Sequence, residues 1–305
     1  MASQLASLPE VERLSPICIR ILGGNPGRFT LQGTNTYLLG TGRERLLVDT
    51  GEGKASWAAA LARTLAAEDA TLAATLITHW HPDHVGGIEQ VRRLVPHAPV
   101  YQDPDIADNQ QFCVEGATLR AVHTPGHTTD HMVFVLAEED AVLAGDNVLG
   151  HGTAVFEDLA VYLHSLALMR SLYTGCSPNS SARLYPGHGP VVADGPAKIA
   201  EYIQHRKLRE DQVVRLLRTH DKQCAIAAAT TTSSAPPSPA SSPSPSETPA
   251  SWTAMELVEV IYADTRKDLH PAAEKGLLQI LDKLEQDGMT VRDGRLWSLR
   301  ERSPL

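Results

Sequence analysis

Thr78-His79-Trp80-His81-Pro82-Asp83-His84 is the stretch on which the reading of this chain turns: an H-x-H-x-D-H cluster that sets four potential metal ligands within six residues. A divalent cation needs several converging nitrogen or oxygen donors. A loop that splays alternate side chains brings His79 and His81 to one ion and leaves Asp83 and His84 facing a second. The apolar run from Leu72 to Thr78 reads as a buried strand, and Val85-Gly86-Gly87-Ile88 opens a helical pattern. A strand-to-helix junction at the carboxyl end of a sheet is where α/β proteins usually place their chemistry.

Working outward, the same device recurs. Leu119 to His123 runs into Thr124-Pro125-Gly126-His127, Ala141 to Leu143 into Gly145-Asp146-Asn147, and Leu184-Tyr185 into Pro186-Gly187-His188. With the first, an apolar strand stops four times at a turn of small residues that carries His or Asp. Such a set makes His79, His81 and His127 one three-nitrogen site and Asp83, His84 and His188 a second, with Asp146 bridging two ions. Each ion keeps the open position that a catalytic site requires. A donor set without Cys suits zinc and would also accept iron or manganese. Asp49 ends the strand Leu46-Leu47-Val48 and precedes Gly51; it either accepts a hydrogen bond from a ligand histidine or closes a local turn. His151, in Gly150-His151-Gly152, is placed to touch substrate, whereas His131, just before an apolar strand, reads as a hydrogen-bonded core or rim residue.

The remaining pattern is that of a mixed α/β chain. Strands are expected at Ile17 to Leu22, Thr34 to Leu39, Leu46 to Val48 and Met132 to Leu136, the first of them antiparallel, and helices at Lys54 to Ala67, Ile88 to Val95 and Gly195 to His220. Residues 103–118 read as a polar, irregular surface segment. From Ala225 to Pro249 the composition shifts to Ala, Thr, Ser and Pro, which cannot bury a core and predicts a disordered linker. Two amphipathic helices, Thr253 to Tyr262 and Ala272 to Gln286, then precede a hairpin around Asp293-Gly294, the pattern of a winged helix. The expected division is a main domain over 1–220, a linker over 225–250 and a winged-helix-like domain over 251–305.

Composition narrows the function. A chain of 305 residues, 42% hydrophobic and 21% charged, is an ordinary globular one. Its net charge of -9 offers no global basic field, which argues against a general nucleic-acid binder. Residues 251–305 carry ten acids against eight Lys plus Arg, so docking on the main domain or self-association is the expected use of the winged helix. Cys18, Cys113, Cys176 and Cys224 form no C-x-x-C pair and read as free thiols. Met1 to Leu14 has neither signal nor transit character, and no apolar run approaches membrane-spanning length; the expectation is a cytoplasmic protein without a membrane partner.

The ordered set His79/His81/Asp83/His84, His127, Asp146 and His188 resembles the metallo-β-lactamase superfamily. That resemblance implies a four-layer αββα sandwich with a two-metal site, expected to hold Zn2+, at one edge of its sheets. Asp146, where true metallo-β-lactamases commonly place a Cys, is similar to the glyoxalase II and ribonuclease Z branch. Asn25-Pro26, Thr30 to Tyr37, Gly152-Thr153, Val155 to Asp158 and the winged-helix tail resemble the lactamase-β-like 2 group, which holds a single-strand endoribonuclease and fungal polyketide thioesterases. The runs Ile21 to Pro26, Arg28-Phe29-Thr30 and Asp158 to Leu163 are most similar to the fungal atrochrysone carboxyl carrier-protein thioesterases. The implied reaction is attack of a hydroxide held by two cations on an aromatic polyketide thioester of an acyl carrier protein; the alternative is endoribonuclease chemistry with the same engine. Asp83 is the expected catalytic residue as well as a ligand, and His151 and Tyr162 the expected substrate contacts.

Overall fold

The structure, a computed structural model, describes residues 5–175, 182–219, 222 and 251–300. The chain forms two compact units, Met1–Ile203 and Gln204–Leu305. The first is built on two sheets. One has six strands in sequence order: β1 (Val11–Ser15), β2 (Cys18–Leu22), β3 (Asn35–Leu39), β4 (Glu44–Val48), β5 (Thr71–Leu76) and β6 (Val100–Tyr101). Its first four strands pair antiparallel, and β4, β5 and β6 are parallel. The other sheet comprises β7 (Gln111–Val114), β8 (Ala117–His123), β9 (Met132–Leu136), β10 (Ala141–Gly145) and β11 (Leu184–Pro186), ordered β11-β10-β9-β8-β7, with only the β10 and β11 pair parallel.

Every residue of β2, β3, β9 and β10 is buried. Successive side chains of a strand point to opposite faces, so each of these strands feeds two cores. Tyr37, Leu39, Met132, Phe134 and Leu136 enter the core between the sheets, together with Leu46, Val48, Leu76 and Leu143. Their neighbours face outward onto helices. Leu38, Leu47, Ile19 and Ile21 pack under Trp57, Leu61 and Leu65 of α1 (Ala55–Ala67) and Val91 of α3 (Ile88–Leu94), the short α2 (Pro82–Val85) lying between these helices in sequence. Val133, Val135, Val142 and Ala144 pack under Tyr162, Leu166 and Met169 of α4 (Leu159–Ser171) and Ile199 and Tyr202 of α5 (Gly195–Leu217). The result is a four-layer αββα sandwich. Each large apolar side chain so buried contributes roughly 1.5–3 kcal/mol. The Trp57 indole also donates to Thr36 Oγ1 at 2.9 Å, which keeps its polar edge satisfied inside the layer.

In the second unit, β12 (Trp252–Thr253), β13 (Thr290–Asp293) and β14 (Leu296–Leu299) form a three-stranded antiparallel sheet ordered β12-β14-β13. Thr253 caps α6 (Ala254–Ile261) in a reciprocal box with Glu256. Leu257 and Val258 of α6, Leu277, Leu281 and Leu284 of α7 (His270–Gln286), Trp252 and Trp297 are all buried. The β13–β14 turn falls at Asp293-Gly294, where Gly294 has positive φ.

Three parts of the sequence reading are corrected. The segment 103–118, expected at the surface, contains β7 and buries Ile106 and Phe112 in the central core; as an edge strand it shows only alternate apolar residues among polar ones. β1 (Val11–Ser15) precedes Ile17 to Leu22, the first strand expected from the sequence. α4 carried no amphipathic signal because apolar Val161 and Ala167 are exposed and Ser165 is buried, although Leu159, Tyr162, Ser165, Leu166 and Met169 form one buried face. The expected linker at 225–250, His220, Cys176 and Cys224 lie outside the described residues. Among the described residues, no helix is long and apolar enough to cross a membrane.

Candidate metal centre

His79, Asp83, His84, His127, Asp146 and His188 all follow strand ends. β5 runs into Thr78-His79, β8 into Thr124 to His127, β10 ends at Gly145 beside Asp146, and β11 ends at Pro186 two residues before His188. His81 caps α2, and Pro82 at its first position has no N–H to leave unpaired. Asp83 and His84 are thereby held on one helical turn.

The seven side chains meet. The nitrogens of His79, His81 and His127 that could bind an ion lie within 4.8 Å of one another, and so do the ligand atoms of Asp83, His84 and His188; His79, His84 and Asp146 form a third such group. His81 Nδ1 is 2.9 Å from His79 Nε2 and 3.1 Å from His127 Nε2. His188 Nε2 stands 3.1 Å from Asp83 Oδ2 and 3.2 Å from Asp146 Oδ2. His131 is in none of these groups; it is fully buried, its Nε2 accepts from the Asp146 backbone N–H at 3.2 Å, and its Nδ1 faces Thr124 Oγ1 at 3.3 Å.

Hydrogen bonds behind the rings decide which nitrogen is bare. A carbonyl only accepts, so the 2.7 Å bond between His127 Nδ1 and Val155 O places the proton on Nδ1 and a lone pair on Nε2. Asp49 Oδ2, 2.8 Å from His84 Nδ1, does the same for His84. Thr78 Oγ1 donates its one proton to Asp49 at 2.9 Å and therefore accepts from His79 Nδ1, also at 2.9 Å. Three imidazoles thus turn bare Nε2 atoms to one place. His84 Nε2 and Asp146 Oδ1 lie 3.4 Å apart without forming a hydrogen bond, and neither has a hydrogen-bonding partner in the protein although both are buried. Buried polar atoms are nearly always paired, and a cation satisfies lone pairs on nitrogen and carboxylate oxygen together. The residues therefore fit a divalent metal.

The shifts of His79 and His81 suit bare nitrogens, whereas the acids around His84 and His188 draw protons that a bound cation would displace. Burial and the neighbouring His84 hold His79 well below the usual imidazole range, and burial and His127 lower His81. Burial opposes charge on His84 and His188, yet Asp49 and Asp146 hold His84 well above its ordinary value, and Asp146 and Asp83 bring His188 up to about 9. Burial also works against ionising Asp146 and Asp83, but His188 and His84 outweigh it and keep both carboxyls below the carboxylate range.

Asp49 is the keystone behind the cluster. Its backbone is left-handed at φ 60°, a conformation that Asp tolerates better than most residues, and its carboxylate also accepts from Thr78 N at 2.8 Å. Thr50, next to it, bonds the His84 carbonyl through both N and Oγ1, and so ties α2 to the end of β4. Gly187 allows the His188 turn to pass the centre, since a Cβ there would stand 2.2 Å from Asp146 Oδ1.

Asn35 is a functional residue whose part did not show in the sequence. Its side-chain amide donates to Pro186 O and Gly189 O, each at 2.8 Å, and its backbone N–H to Gly187 O; Tyr37 Oη adds a bond to Pro186 O at 2.7 Å. β3 thus clamps the turn that presents His188. The partners lie some 150 residues away in sequence, and only a run rich in Asn and Thr hinted at polar work inside a buried strand.

Two expected substrate contacts fare differently. His151 is exposed and belongs to no ligand group. Tyr162 is corrected: it is fully buried, its hydroxyl donates to Asn147 O, and its ring stacks on Phe156 at 5.2 Å, so it supports the wall behind Asp146 and cannot touch substrate.

Comparison with known proteins completes the assignment. The family model described as Metallo-beta-lactamase superfamily matches residues 29–112, and that of the Beta-lactamase associated winged helix domain matches residues 253–297. A protein of Aspergillus terreus named atrochrysone carboxyl ACP thioesterase is 42% identical over 302 residues, covering 95% of this chain and 86% of its own. The chain belongs to the metallo-β-lactamase superfamily. An Aspergillus chevalieri protein of the same name is 50% identical over 224 residues, 71% of this chain and 70% of its own. A β-lactamase domain protein from Burkholderia ambifaria shares the fold, with a TM-score of 0.65 at 18% identity over 98% of this chain and 96% of its own. Superfamily membership and the His/Asp cluster together point to a divalent-metal site.

Proposed function

We propose that this metallo-β-lactamase-fold protein is a thioesterase that releases an aromatic polyketide acyl group, of the atrochrysone carboxylic acid type, from an acyl carrier protein. The observation that carries the reading is the name shared by relatives 50% and 42% identical to it, joined to a cluster of seven converging His and Asp side chains. In this reading His79, His81 and His127 would hold one ion, Asp83, His84 and His188 a second, and Asp146 would stand between them. Zinc suits this all-nitrogen-and-oxygen set. Divalent ions bound there would supply Lewis acidity, lowering the pKa of water toward about 7 and polarising the thioester carbonyl.

The chain's own groups do the rest. Asp83 is the most solvent-accessible carboxylate of the cluster and stays ionised, so it accepts a hydrogen bond from the attacking water and orients it toward the carbonyl carbon. The new C–O bond forms as the carbonyl electrons move to oxygen and the water's O–H bond breaks, its proton passing by way of the Asp83 carboxylate to solvent; return of the electrons breaks the C–S bond and the sulfur leaves as thiolate. With a thiol pKa of about 8.5, that leaving group needs no side chain to protonate it first. His84, His127 and His79 keep their orientation through Asp49, Val155 O and Thr78, so the donors are set before substrate arrives. His151, exposed beyond Asp146, is the proposed polar contact to substrate. The reading includes a cytoplasmic location, supported by the free thiols of Cys18 and Cys113.

The test is a paired assay on metal-analysed protein: release of an aromatic acyl group from a carrier-protein thioester and cleavage of single-stranded RNA, each beside a His79→Ala control. Thioester hydrolysis lost in the control, with RNA intact, is expected. RNA cleavage without thioester hydrolysis would overturn the reading in favour of a nuclease.

A further inference from the structure

Trp57, Trp252 and Trp297 are at most 1% exposed, but Trp80, the residue between His79 and His81, is 54% exposed. An isolated apolar residue at a surface needs no explanation. Trp80 is not isolated. Its ring lies 4.5 Å from that of His81 and crosses it at 68°, so the two are not stacked face to face. His81 in turn lies 4.8 Å, ring to ring, from His127, and His127 is held by the carbonyl of Val155, whose own side chain is 68% exposed. A continuous line therefore runs from an exposed indole, across two imidazoles of the donor set, to an exposed aliphatic side chain. Neither apolar group contributes a donor atom to the cluster.

We propose that Trp80 sets the acyl preference of the enzyme by taking a flat aromatic acyl group against its indole, beside the His81 and His127 rings. This rests on the thioesterase reading and names the part of the substrate that the donor set cannot recognise. A thioester carbonyl placed at the imidazole nitrogens has its acyl carbon chain leaving toward the rim. An indole offers a large, rigid, polarisable surface there, and offset or edge-to-face contact between aromatic rings adds to the gain from area alone. An acetyl group has no ring to set against it. Preference for aromatic over small acyl groups thus resides at the mouth, while the chemistry resides in the cluster.

The experiment compares native enzyme, Trp80→Ala and Trp80→Phe on two N-acetylcysteamine thioesters, 2-naphthoyl and acetyl, all with metal content measured. The ratio of kcat/KM for naphthoyl over acetyl is expected to fall about tenfold in Trp80→Ala, chiefly through KM, and to recover most of the way in Trp80→Phe. An unchanged ratio, or equal losses on both thioesters, would overturn the proposal; equal losses would make Trp80 a support for His81 only. A second readout does not need turnover. Trp80 is the exposed tryptophan, so iodide quenches its fluorescence selectively, and saturating 2-naphthoate is expected to protect it in the native enzyme and to have nothing to protect in Trp80→Phe. Failure of the native enzyme to hydrolyse either thioester would sink the thioesterase reading, whereas quenching unaltered by naphthoate would sink the role of Trp80.

Discussion

Asp49→Asn is nearly isosteric and is the sharpest test of how the donor set is held. The carboxylate of Asp49 is 2% exposed and accepts from three groups: Thr78 N at 2.8 Å, Thr78 Oγ1 at 2.9 Å and His84 Nδ1 at 2.8 Å. An amide oxygen at Oδ1 preserves the bond from Thr78 N. The amide nitrogen then occupies the Oδ2 position, where its protons confront the Nδ1–H of His84 and the hydroxyl proton of Thr78. His84 can answer only by moving its proton to Nε2, the atom that faces Asp83 and Asp146. A protonated Nε2 cannot bind metal. Loss of such a partner behind a ligand typically lowers metal affinity 10–100-fold, about 1.4–2.7 kcal/mol. Asp49→Ala is harsher, since it leaves Thr78 N–H and His84 Nδ1–H unpaired in a buried place, and should cost on the order of 3 kcal/mol of folding stability. Chelator competition gives the affinities and thermal melts show that the Asn variant remains folded. Asp49→Asn protein that binds both ions within twofold of native affinity would refute the tautomer argument.

Other expectations follow from single contacts. Gly187→Ala sets a methyl 2.2 Å from the position of Asp146 Oδ1; the displaced carboxylate should lower kcat/KM on the order of 10²-fold, with circular dichroism unchanged and metal content reduced. Asn35→Ala leaves Gly189 O without its side-chain donor and Pro186 O with Tyr37 Oη alone, so stability should fall by about 1–3 kcal/mol in urea denaturation and the affinity of the more weakly held ion should fall with it. Thr253→Ala removes the hydroxyl half of the capping box from α6, leaving the Glu256 N–H without its acceptor while the Thr253 backbone N–H still donates to Glu256, and should destabilise the winged-helix unit by about 1 kcal/mol, read as an earlier urea transition of that unit. Burial opposes ionisation of Glu256, but Lys222 and Thr253 outweigh it and depress its pKa. A depressed carboxyl contributes stability above its unfolded pKa of about 4.3 and loses it as pH falls through the lower folded value; acid melts of native protein and Glu256→Gln should therefore converge once the pH has fallen below that folded value.

Much of this arrangement can be read in one dimension because short-range spacing carries it. The H-x-H-x-D-H run and the three later strand ends mark polar, ligand-type side chains where apolar strands stop, and four-layer packing makes the central strands nearly continuous in Val, Leu and Ile. Where information is spread over distance or over both faces, the sequence is silent. α4 has no polar stripe because Val161 and Ala167 lie on its exposed side while Ser165 lies on its buried one, and β7 alternates too briefly to stand out from a loop. The bare nitrogen of His127 depends on a carbonyl 28 residues away, and the hold on His188 depends on an asparagine over 150 residues away. Tyr162 misled because a tyrosine near a ligand turn reads as a substrate contact, while its hydroxyl in fact finds Asn147 O inside the wall.

The central claim is that two metal ions held by these seven side chains drive thioester hydrolysis. Metal-stripped protein titrated with zinc, with thiol release from an aromatic acyl-carrier thioester followed at each addition, tests it directly. The account predicts no release without zinc and a rate that reaches its plateau at about two bound ions per chain. Full hydrolysis in the stripped protein, or none with two ions bound, would contradict it.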